Sequence, residues 1–359
     1  MSIVTPRQLV TALALASAAA FPAVAFDGWH VENATMVEGK GSGWDYVAID
    51  GAHGRLFVGH RKEGLQVFDL ATHKLVKVIG TTASDSSNGA TLIPEFDLGV
   101  SYNENGTITP FKLSTLDASP SIKIGEELDA THYDPASKRL VANMGSGKDG
   151  TDLIVLDVPS LKRVGTIKVT AKKPEHAEAD GKGGFFLASR DESKVYRLDT
   201  TAMKVTAEWP TPGCAQTNGL ALDATNRRIF LGCRGGPGTP PSFAVMDADS
   251  GKVIFTSEIG GGNDDVVYDP DLKRIFLSNG VSAVLNVFEQ VDANTYKPVE
   301  ALGTMAGVRT MAIDPKTKKI HAVGSEGTAD YGKKVNTAVS PFYANTFFPN
   351  RFTILTISR

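Results

Sequence analysis

The segment YDPDLKRIFLSN at residues 268–279 is one copy of a unit that recurs along this chain and decides its fold. Other clear copies are YVAIDGAHGRLFVG at 46–59, ATHYDPASKRLVAN at 130–143, GLALDATNRRIFLGC at 219–233 and TMAIDPKTKKIHAVG at 310–324. Each is a short apolar run, an Asp, a polar turn, one or two basic residues and a second β-forming run. The turns fall at Asp50, Pro94, Asp134, Asp180, Asp223, Asp269 and Asp314. Seven copies at a spacing of roughly 40 to 46 residues predict an all-β chain folded as a seven-bladed β-propeller.

The number of strands predicts how the ring closes. Each unit can be divided into four strands, A to D from the axis outward, and only six units contain their own strand D. Residues 30–39, HVENATMVEG, supply the missing strand, so the segment 26–43 is predicted to join the last blade. Closure of this kind leaves no exposed edge for another chain to pair with. The alternative interpretation of this segment is a disordered N-terminal tail.

Two units depart from the repeat. In the second unit, ATLIPEFDLGVSYNENGTITPFKL, Pro94 stands where the other units have the Asp of the A–B turn. The last unit contains an insertion at residues 325–349. The aromatic residues of this insertion are Tyr331, Phe342, Tyr343, Phe347 and Phe348. A lid, a partner surface and packing across the ring are the alternatives, and packing is the expected role of large aromatic side chains.

The N-terminus has the pattern of a cleaved signal peptide at residues 1–25. Arg7 supplies a positive charge, an apolar run of small residues spans 9–20, and Ala23-Val24-Ala25 matches the A-x-A cleavage pattern. A transmembrane anchor is the alternative, but the apolar run is too short to span a bilayer. We therefore expect one mature domain, residues 26–359, that is exported to the periplasm or outside a bacterial cell. We expect it to be a monomer without a transmembrane segment.

The two cysteines, Cys214 and Cys233, lie in the same unit. In an exported chain, an even number of cysteines indicates a disulfide bond. Cys214 precedes strand A of its unit and Cys233 ends strand B. Because these strands are antiparallel neighbours, the two positions lie side by side. We predict a Cys214–Cys233 disulfide; a two-thiol metal site and free buried thiols are the alternatives.

Composition and motifs exclude several classes of function. Charged residues make up 21% of the chain and the formal net charge is −3, which argues against bulk electrostatic binding of nucleic acid. The sequence contains no G-x-S-x-G nucleophile elbow, P-loop, Rossmann fingerprint or CxxCH haem-attachment site. These observations favour a binding protein over an enzyme.

The repeats resemble the YVTN family of seven-bladed β-propellers, the YncE-like proteins of the bacterial periplasm and surface. The family unit has an apolar run, then Asp-Pro, a polar turn with a basic residue, and a second apolar run ending in Asn. Residues 133–143, 268–279 and 313–323 match it closely, although the tetrapeptide Tyr-Val-Thr-Asn is absent. The resemblance covers nearly all of the mature chain and implies the propeller fold with a binding or surface role.

Polar residues are concentrated at the points where the strands of a propeller meet the mouth of its central channel. Strand A starts on that face and strand B ends there, so these positions converge from all blades. The residues predicted to bind a ligand or partner are Asp45, His60, Arg61, Glu175, His176, Arg190, Asn218, Arg234, Asp264, Asp265 and Arg309. Burial of so many ionisable groups is costly, and the alternative is a solvated channel in which they pair with one another.

The four arginines of this set, Arg61, Arg190, Arg234 and Arg309, suit a carboxylate, a phosphate or single-stranded nucleic acid. The acidic net charge of the chain argues against nucleic acid. Either a small ligand or a periplasmic or surface protein is expected as the partner.

Two kinds of metal site are alternatives on the same face. Calcium-dependent lactonase propellers use oxygen ligands from several blades, and residues 217–233 are loosely similar to the Asn-bearing unit of that family. The corresponding Ca²⁺ ligands would be Asn88, Glu175, Asn218 and Asp264. A copper or zinc centre would be sparse, because only His60 and His176 fall at the mouth. The other histidines, assigned to strands or outer turns, are His30, His53, His73, His132 and His321.

The sequence therefore predicts an exported, non-catalytic propeller that binds a small ligand or partner protein at the channel mouth without a cofactor. The alternative is a Ca²⁺-dependent, lactonase-like hydrolase that uses the same face. A structural surface protein with an inert channel is a third interpretation.

Overall fold

The chain folds into seven four-stranded antiparallel sheets that form the blades of a β-propeller. The computed structural model describes residues 27–39, 43–61, 63–80, 86–333 and 344–359. The predicted signal peptide, residues 1–25, lies outside the described residues. Strand A of each blade contacts strand A of the next blade, and the last contacts the first, so the blades form a ring. Among the described residues, no helix is long and apolar enough to cross a membrane.

Each blade uses consecutive strands, A to D outward, apart from strand D of blade 7. Blades 1 and 2 contain β2 (Trp44–Asp50), β3 (Arg55–His60), β4 (Gly64–Asp69), β5 (Leu75–Ile79), β6 (Ser87–Ile93), β7 (Leu98–Asn103), β8 (Thr107–Lys112) and β9 (Ile122–Lys123). Blades 3 and 4 contain β10 (Ala130–Asp134), β11 (Arg139–Asn143), β12 (Thr151–Asp157), β13 (Arg163–Val169), β14 (Pro174–Ala179), β15 (Gly184–Ser189), β16 (Lys194–Asp199) and β17 (Lys204–Pro210).

Blades 5 and 6 contain β18 (Thr217–Asp223), β19 (Arg228–Cys233), β20 (Ser242–Asp247), β21 (Val253–Glu258), β22 (Asn263–Asp269), β23 (Arg274–Asn279), β24 (Val284–Asp292) and β25 (Thr295–Gly303). Blade 7 contains β26 (Met311–Ile313), β27 (Ile320–Thr328), β28 (Thr346–Ser358) and β1 (His30–Val37).

The N-terminal strand closes the ring, as predicted. β1 is antiparallel to β28 in a register that runs from His30↔Ser358 to Val37↔Phe352. The order β1-β28-β27-β26 makes β1 the outermost strand of blade 7. A side-chain ion pair between Arg359 Nη2 and Asp27 Oδ2, 3.1 Å apart, lies just beyond the paired strands. Blade 7 is therefore assembled from both ends of the domain.

The turn between strands A and B explains the repeated Asp. In six blades its carboxylate accepts hydrogen bonds from backbone N–H groups of the turn. In blade 1, Asp50 Oδ1 accepts from Ala52 N at 3.1 Å and from His53 N at 3.2 Å. Asp favours such turns because its short side chain satisfies the exposed backbone donors. Blade 2, which lacks this Asp, has a short 3₁₀ helix, Pro94–Phe96, at the same place.

The hydrophobic core lies between neighbouring blades. All six residues of β15 (GFFLAS) are buried, whereas the outer strand β17 of the same blade alternates between half-buried and exposed residues. One apolar cluster joins Ile93 and Val100 of blade 2 to Leu140 of blade 3. Burial of apolar surface stabilises by about 25 cal/mol per Å². The blades are therefore held together mainly by these apolar contacts.

The two cysteines form the predicted disulfide. Cys214 precedes β18, Cys233 is the last residue of β19, and their Cα atoms are 5.3 Å apart. Both are fully buried, in an apolar cluster that also contains Leu220 and Ile229. The bond ties the segment that leads into strand A of blade 5 to the end of strand B, beside the channel mouth.

The insertion in blade 7 lengthens a hairpin. β27 continues to Thr328 and β28 begins at Thr346, and Gly327 pairs with Phe347 in the extended part. The ring of Phe347 packs edge-on against Trp44, with 5.2 Å between ring centroids, so the expected packing role holds for this aromatic. Tyr331 and Phe348 are exposed. The two remaining aromatics, Phe342 and Tyr343, lie outside the described residues.

Two buried histidines meet where the ring closes. His73 lies in the C–D turn of blade 1, and its Nε2 is 3.3 Å from Nδ1 of His321 in β27. Its Nδ1 is 2.9 Å from Oγ1 of Thr35 on the closing strand. Burial lowers the pKa of His73, against the charge of Asp69. Burial and the neighbouring His73 lower the pKa of His321 to about 4, against Asp314.

We predict that acid weakens the fold through this pair. A histidine whose pKa is lower in the folded chain contributes its full stability above the unfolded pKa of about 6.5 and loses it as the pH falls. The contribution of this pair to the free energy of unfolding should fall between about pH 6.5 and pH 4, by up to about 1.4 kcal/mol per pH unit for each proton. The difference in free energy of unfolding between the wild type and His321→Gln should therefore shrink as the pH falls, because the variant lacks one of the two histidines. Urea denaturation at several pH values measures it.

His30→Gln is the matched control, because His30 is an exposed histidine on the closing strand. It should retain the wild-type dependence on pH. An equally steep dependence in His321→Gln and in the wild type would contradict the role given to the pair.

Candidate functional site

Strand A begins with a β-bulge at the channel mouth in blades 1, 2, 4, 5 and 6. In blade 5, Thr217 pairs with Cys233 and Gly219 with Gly232, so Asn218 has no partner in strand B. A bulge leaves one residue out of the ladder and redirects its side chain. The bulges contain Asp45, Asn88, Glu175, Asn218 and Asp264, which are all among the residues singled out from the sequence.

Basic side chains reach these bulge residues. Arg61, Arg190 and Arg234 each directly follow strand B of their blade, and Arg309 lies shortly before β26. The ion pairs of the mouth are Arg61–Asp45 (2.5 Å), Arg190–Glu175 (3.0 Å), Lys173–Asp129 (3.3 Å), Arg234–Asp264 and Arg309–Asp264. Seven of the eleven predicted residues therefore form ion pairs with one another at the mouth.

The charges of the mouth form two layers. The side chains of Asp45 and Glu175 are 5% exposed and that of Asp264 is 8% exposed. The side chains of their four arginine partners are between 24% and 33% exposed. A ligand that approaches from solvent therefore meets the guanidinium groups first, and the carboxylates lie behind them.

Asp264 connects three blades. Arg234 of blade 5 donates from Nη2 to Oδ1, and Arg309, which leads into blade 7, donates from Nε to Oδ2. Asn218 of blade 5 also donates to Oδ1, at 2.9 Å. Burial raises the pKa of Asp264, but the two guanidiniums outweigh burial and hold the pKa well below its usual range. Asp264 is therefore ionised near neutral pH.

Three other carboxyl groups titrate closer to neutral pH. Burial raises the pKa of Asp45 to about 6. Burial raises the pKa of Glu175 to about 7, against the opposing charge of Arg190. Burial raises the pKa of Asp265 to about 6, against His176. The mouth therefore gains positive charge as the pH falls from 7 toward 6.

Aromatic side chains meet across the channel, one residue further along strand A. The ring centroid of Tyr46 lies 6.0 Å from that of His176, and His176 lies 5.0 Å from His132. Blades 1 and 4 are not neighbours, so the contact between Tyr46 and His176 spans the channel. His132 lies in a strand, β10, as predicted from the sequence. Its ring contacts that of His176.

The pKa values of the two channel histidines, His132 and His176, shift in opposite directions. Burial lowers the pKa of His132 far below its ordinary value, and the neighbouring His176 lowers it further. Burial also lowers the pKa of His176, but the hydrogen bond to Glu178 (3.2 Å) and its charge raise the pKa above the ordinary value. Near neutral pH, His132 is therefore neutral and His176 is the more readily protonated partner.

His60 lies where blades 1 and 7 meet, and its Nδ1 is 3.2 Å from Oε2 of Glu63. It is fully buried, its ring stacks on Phe352 of blade 7 with 5.5 Å between centroids, and its Nδ1 is 3.0 Å from Oε1 of Gln66. The imidazole of His60 is therefore enclosed between blades 1 and 7.

Three charged residues of the mouth, Asp129, Lys173 and Glu104, were not in the predicted ligand-binding set. Lys173 Nζ lies 3.3 Å from Asp129 Oδ2, and Glu104 Oε1 lies 3.2 Å from Arg61 Nε. Glu104 directly follows strand B of blade 2, and Lys173 directly precedes strand A of blade 4. A position near the start of strand A or the end of strand B is the criterion that selected the predicted residues. The same criterion, applied to every blade, would select Glu104 and Lys173 as well.

The oxygen atoms proposed as Ca²⁺ ligands are largely engaged with protein groups. Asn88 Oδ1 accepts from Arg61 Nε at 2.7 Å, and both carboxylate oxygens of Asp264 accept from arginines. Glu175 Oε1 lies 3.0 Å from Arg190 Nη1. Within the described ranges, no three His, Cys, Asp or Glu side chains form a group that could hold a metal ion. A calcium ion at these four residues would have to displace arginines.

Comparison with known proteins identifies the fold. No protein-family model matches the chain, and no curated protein matches it. The chain is similar to a chain of the mitotic checkpoint complex (TM-score 0.71, 11% identity, 98% of each chain covered). It is also similar to the WD40 repeats of RRP9 (TM-score 0.72, 9% identity, 92% of this chain and 100% of that chain covered). A third similar structure is Kuenenia stuttgartiensis hydrazine synthase (TM-score 0.68, 13% identity, 89% of this chain and 97% of that chain covered).

At these identities the likeness shows the fold alone, which is a seven-bladed, WD40-like β-propeller. The resemblance of the repeats to the YVTN/YncE-like family stays a prediction. The site at the mouth therefore has to be interpreted from its own residues.

We predict that Asp264→Asn destabilises the fold by about 1–3 kcal/mol. The substitution leaves two guanidiniums facing a neutral group, and loss of one member of a buried charge pair is costly, although the partial exposure of the arginines reduces the effect. The free energy of unfolding from urea denaturation measures the change.

Asp249→Asn is the matched control, because Asp249 pairs with Arg227 at 2.9 Å but its side chain is 64% exposed. This change should shift the free energy of unfolding by less than about 0.5 kcal/mol. Equal effects of the two substitutions would show that Asp264 does not hold the mouth together.

Proposed function

We propose that this protein is an exported, non-catalytic binding protein of the β-propeller class, and that it binds a small ligand or a partner protein at the channel mouth. The observation that carries the proposal is the layered arrangement of the mouth. Half-buried arginines from four parts of the ring face solvent, and each is fixed from behind by a buried carboxylate. Donors held in this way are pre-organised, which lowers the entropic cost of binding.

Stability alone is a poor explanation for this arrangement. Buried ion pairs lose much of their Coulombic gain to desolvation, and an apolar contact of similar volume is often as stabilising. The blades already have apolar clusters between them, such as the one that joins blades 2 and 3. Charged groups at the axis therefore suit recognition, in which they select a partner by complementary charge.

The mouth is also asymmetric, although the fold repeats. The bulges of five blades carry Asp, Asn, Glu, Asn and Asp in turn, at Asp45, Asn88, Glu175, Asn218 and Asp264. The core strands, by contrast, repeat similar apolar residues. A surface whose groups change from one of these blades to the next can distinguish orientations of a ligand, whereas a uniform ring cannot.

The alternative function is a Ca²⁺-dependent, lactonase-like hydrolase on the same face. Asn218 Oδ1 is buried without a hydrogen-bond partner among the described residues, but the oxygen atoms of Asn88 and Asp264 already accept hydrogen bonds from arginines, which argues against a calcium ion there. A tightly bound calcium ion together with lactone hydrolysis would support this alternative and contradict the binding-protein proposal.

The proposal is tested with the double variant Arg61→Ala/Arg190→Ala. The immobilised mature domain is used to capture partners from an extract of the producing cells, and a thermal-shift screen tests metabolite-sized ligands in parallel. Loss of two mouth arginines should weaken any specific binding about tenfold or more, because buried arginine contacts often dominate binding energy. Circular dichroism establishes that the variant is folded.

Lys168→Ala/Lys204→Ala is the matched control, because it removes two positive charges from exposed positions on the outer strands β13 and β17. This control should bind as the wild type does. Binding that survives in the mouth variant and is lost in the outer-strand control would place the site elsewhere and overturn the proposal.

A further inference from the structure

We infer that a cavity on the face opposite the channel mouth binds a guanidinium group, either from an arginine side chain of a partner or from a small guanidinium compound. The cavity has a volume of about 330 Å³ and lies in blade 4, beside the A–B turn and the C–D turn. Both turns are at the ends of the strands that point away from the mouth. The cavity is therefore separate from the binding surface proposed at the mouth.

The other blades show which group this place in the fold accepts. In blades 3 to 6, the first residue of strand B is the cross-strand partner of an acidic residue near the end of strand C. In three of these blades the two residues form an ion pair, and the pairs are Arg139–Asp157, Arg228–Asp247 (2.6 Å) and Arg274–Glu289 (3.6 Å). In blade 4 the corresponding residues are Gly184 and Asp199. Blade 4 therefore keeps the carboxylate but has no arginine opposite it.

The carboxylate of Asp199 is held in place by its own turn. Its Oδ1 accepts hydrogen bonds from the backbone N–H groups of Thr201 at 2.9 Å and Ala202 at 2.8 Å. Arg197, the guanidinium that lines the cavity, lies near Asp180 instead, with 3.9 Å between Nη2 and Oδ2. Asp199 has no ion-pair partner in the part of the chain that the structure describes.

Asp180, the second carboxylate of the cavity, also lacks a donor that the other blades have. In the five other blades with an Asp in the A–B turn, a side chain lies within hydrogen-bond distance of its Oδ2. These side chains are His53, Ser137, Asn226 and Thr317, each at 2.6 Å, and Lys318 at 2.9 Å. The turn of blade 4 is shorter, and Gly183 supplies no side chain there. The side chain of Asp180 is only 4% exposed, and Arg197 is beyond hydrogen-bond distance.

Both carboxylates can be reached by a guanidinium group from solvent. In blades 3, 5 and 6 the arginine side chains of the equivalent pairs are 27%, 13% and 16% exposed, so guanidinium groups at this place reach the surface. A guanidinium group has several N–H donors in one plane and can bond to Asp199 and to Asp180 together.

Hydrogen bonds, and not the net charge of the cavity, decide which ligand fits. Two basic residues line the cavity beside the two carboxylates, and they are Arg197 and the exposed Lys182. Charge-assisted hydrogen bonds to a carboxylate are about twice as strong as hydrogen bonds between neutral groups. A guanidinium group would supply the donors that the equivalent acidic residues of the other blades receive from their own side chains.

The experiment titrates the mature domain with N-acetyl-L-argininamide at low ionic strength in an isothermal calorimeter. The neutral isostere N-acetyl-L-citrullinamide is titrated in parallel. The arginine derivative should bind about tenfold or more tightly, because only its side chain forms charge-assisted hydrogen bonds. Asp199→Asn should weaken this binding about tenfold or more, since asparagine keeps the Oδ1 acceptor of the turn but loses the charge. Circular dichroism establishes that the variant is folded.

Asp152→Asn is the matched control, because it removes one negative charge from an exposed position on strand C of blade 3. It should leave the affinity for N-acetyl-L-argininamide within about twofold of the wild type.

Ethylguanidinium, which lacks the flanking peptide groups, separates the two sources of the ligand. Tighter binding of N-acetyl-L-argininamide supports an arginine side chain of a partner. Tighter or equal binding of ethylguanidinium supports a small guanidinium compound.

Equal affinity for the arginine and citrulline derivatives, or no binding of either, would overturn the site, and this comparison needs no variant to fold. An equal loss in Asp199→Asn and Asp152→Asn would overturn it as well. The double variant Arg61→Ala/Arg190→Ala should retain wild-type affinity for N-acetyl-L-argininamide, because it changes only the mouth. Loss of binding in that variant would place the guanidinium site at the mouth and contradict the inference.

Discussion

The pairing of β1 with β28 is the constraint on which the rest of the molecule depends. Six blades are built from consecutive strands, but blade 7 takes its outermost strand from the other end of the domain. The apolar faces of blades 1 and 7 pack directly against each other, as Leu56 and Val323 do in one cluster, and β1 covers the outer edge of blade 7. Residues at the seam serve this closure, including His60 against Phe352 and His73 against His321.

The channel mouth depends on this closure. Thr310 of blade 7 donates a hydrogen bond from its hydroxyl to the backbone oxygen of Asp45 in blade 1, which joins the last blade to the first at the axis. Arg309, the preceding residue, is thereby placed on Asp264. Neighbouring residues, Thr310 and Arg309, thus join blade 7 to blade 1 and to the ionic layer.

The sequence predicted the fold and the closing strand, because both depend on periodic patterns of apolar residues and turns. The Asp of each A–B turn is visible in the sequence because it satisfies local backbone donors, as Asp50 does. The contacts that the mouth residues make could not be predicted from the sequence. A bulge adds one residue to strand A and changes which side chain faces the axis. The contact of His132 with His176 therefore depends on the register of the strands, and the enclosure of His60 depends on the neighbouring blade.

Native-state hydrogen exchange tests the central claim that β1 closes the ring. Amides of β1 that donate to β28 should exchange only through global unfolding, with the same free energy as amides of the inner strands β6 and β18. The hydrogen-bonded amides of β17, an outer strand that is continuous with its own blade, provide the comparison. Exchange of the β1 amides at a much lower free energy, while the inner strands stay fully protected, would contradict the account, because the ring would then persist without its closing strand.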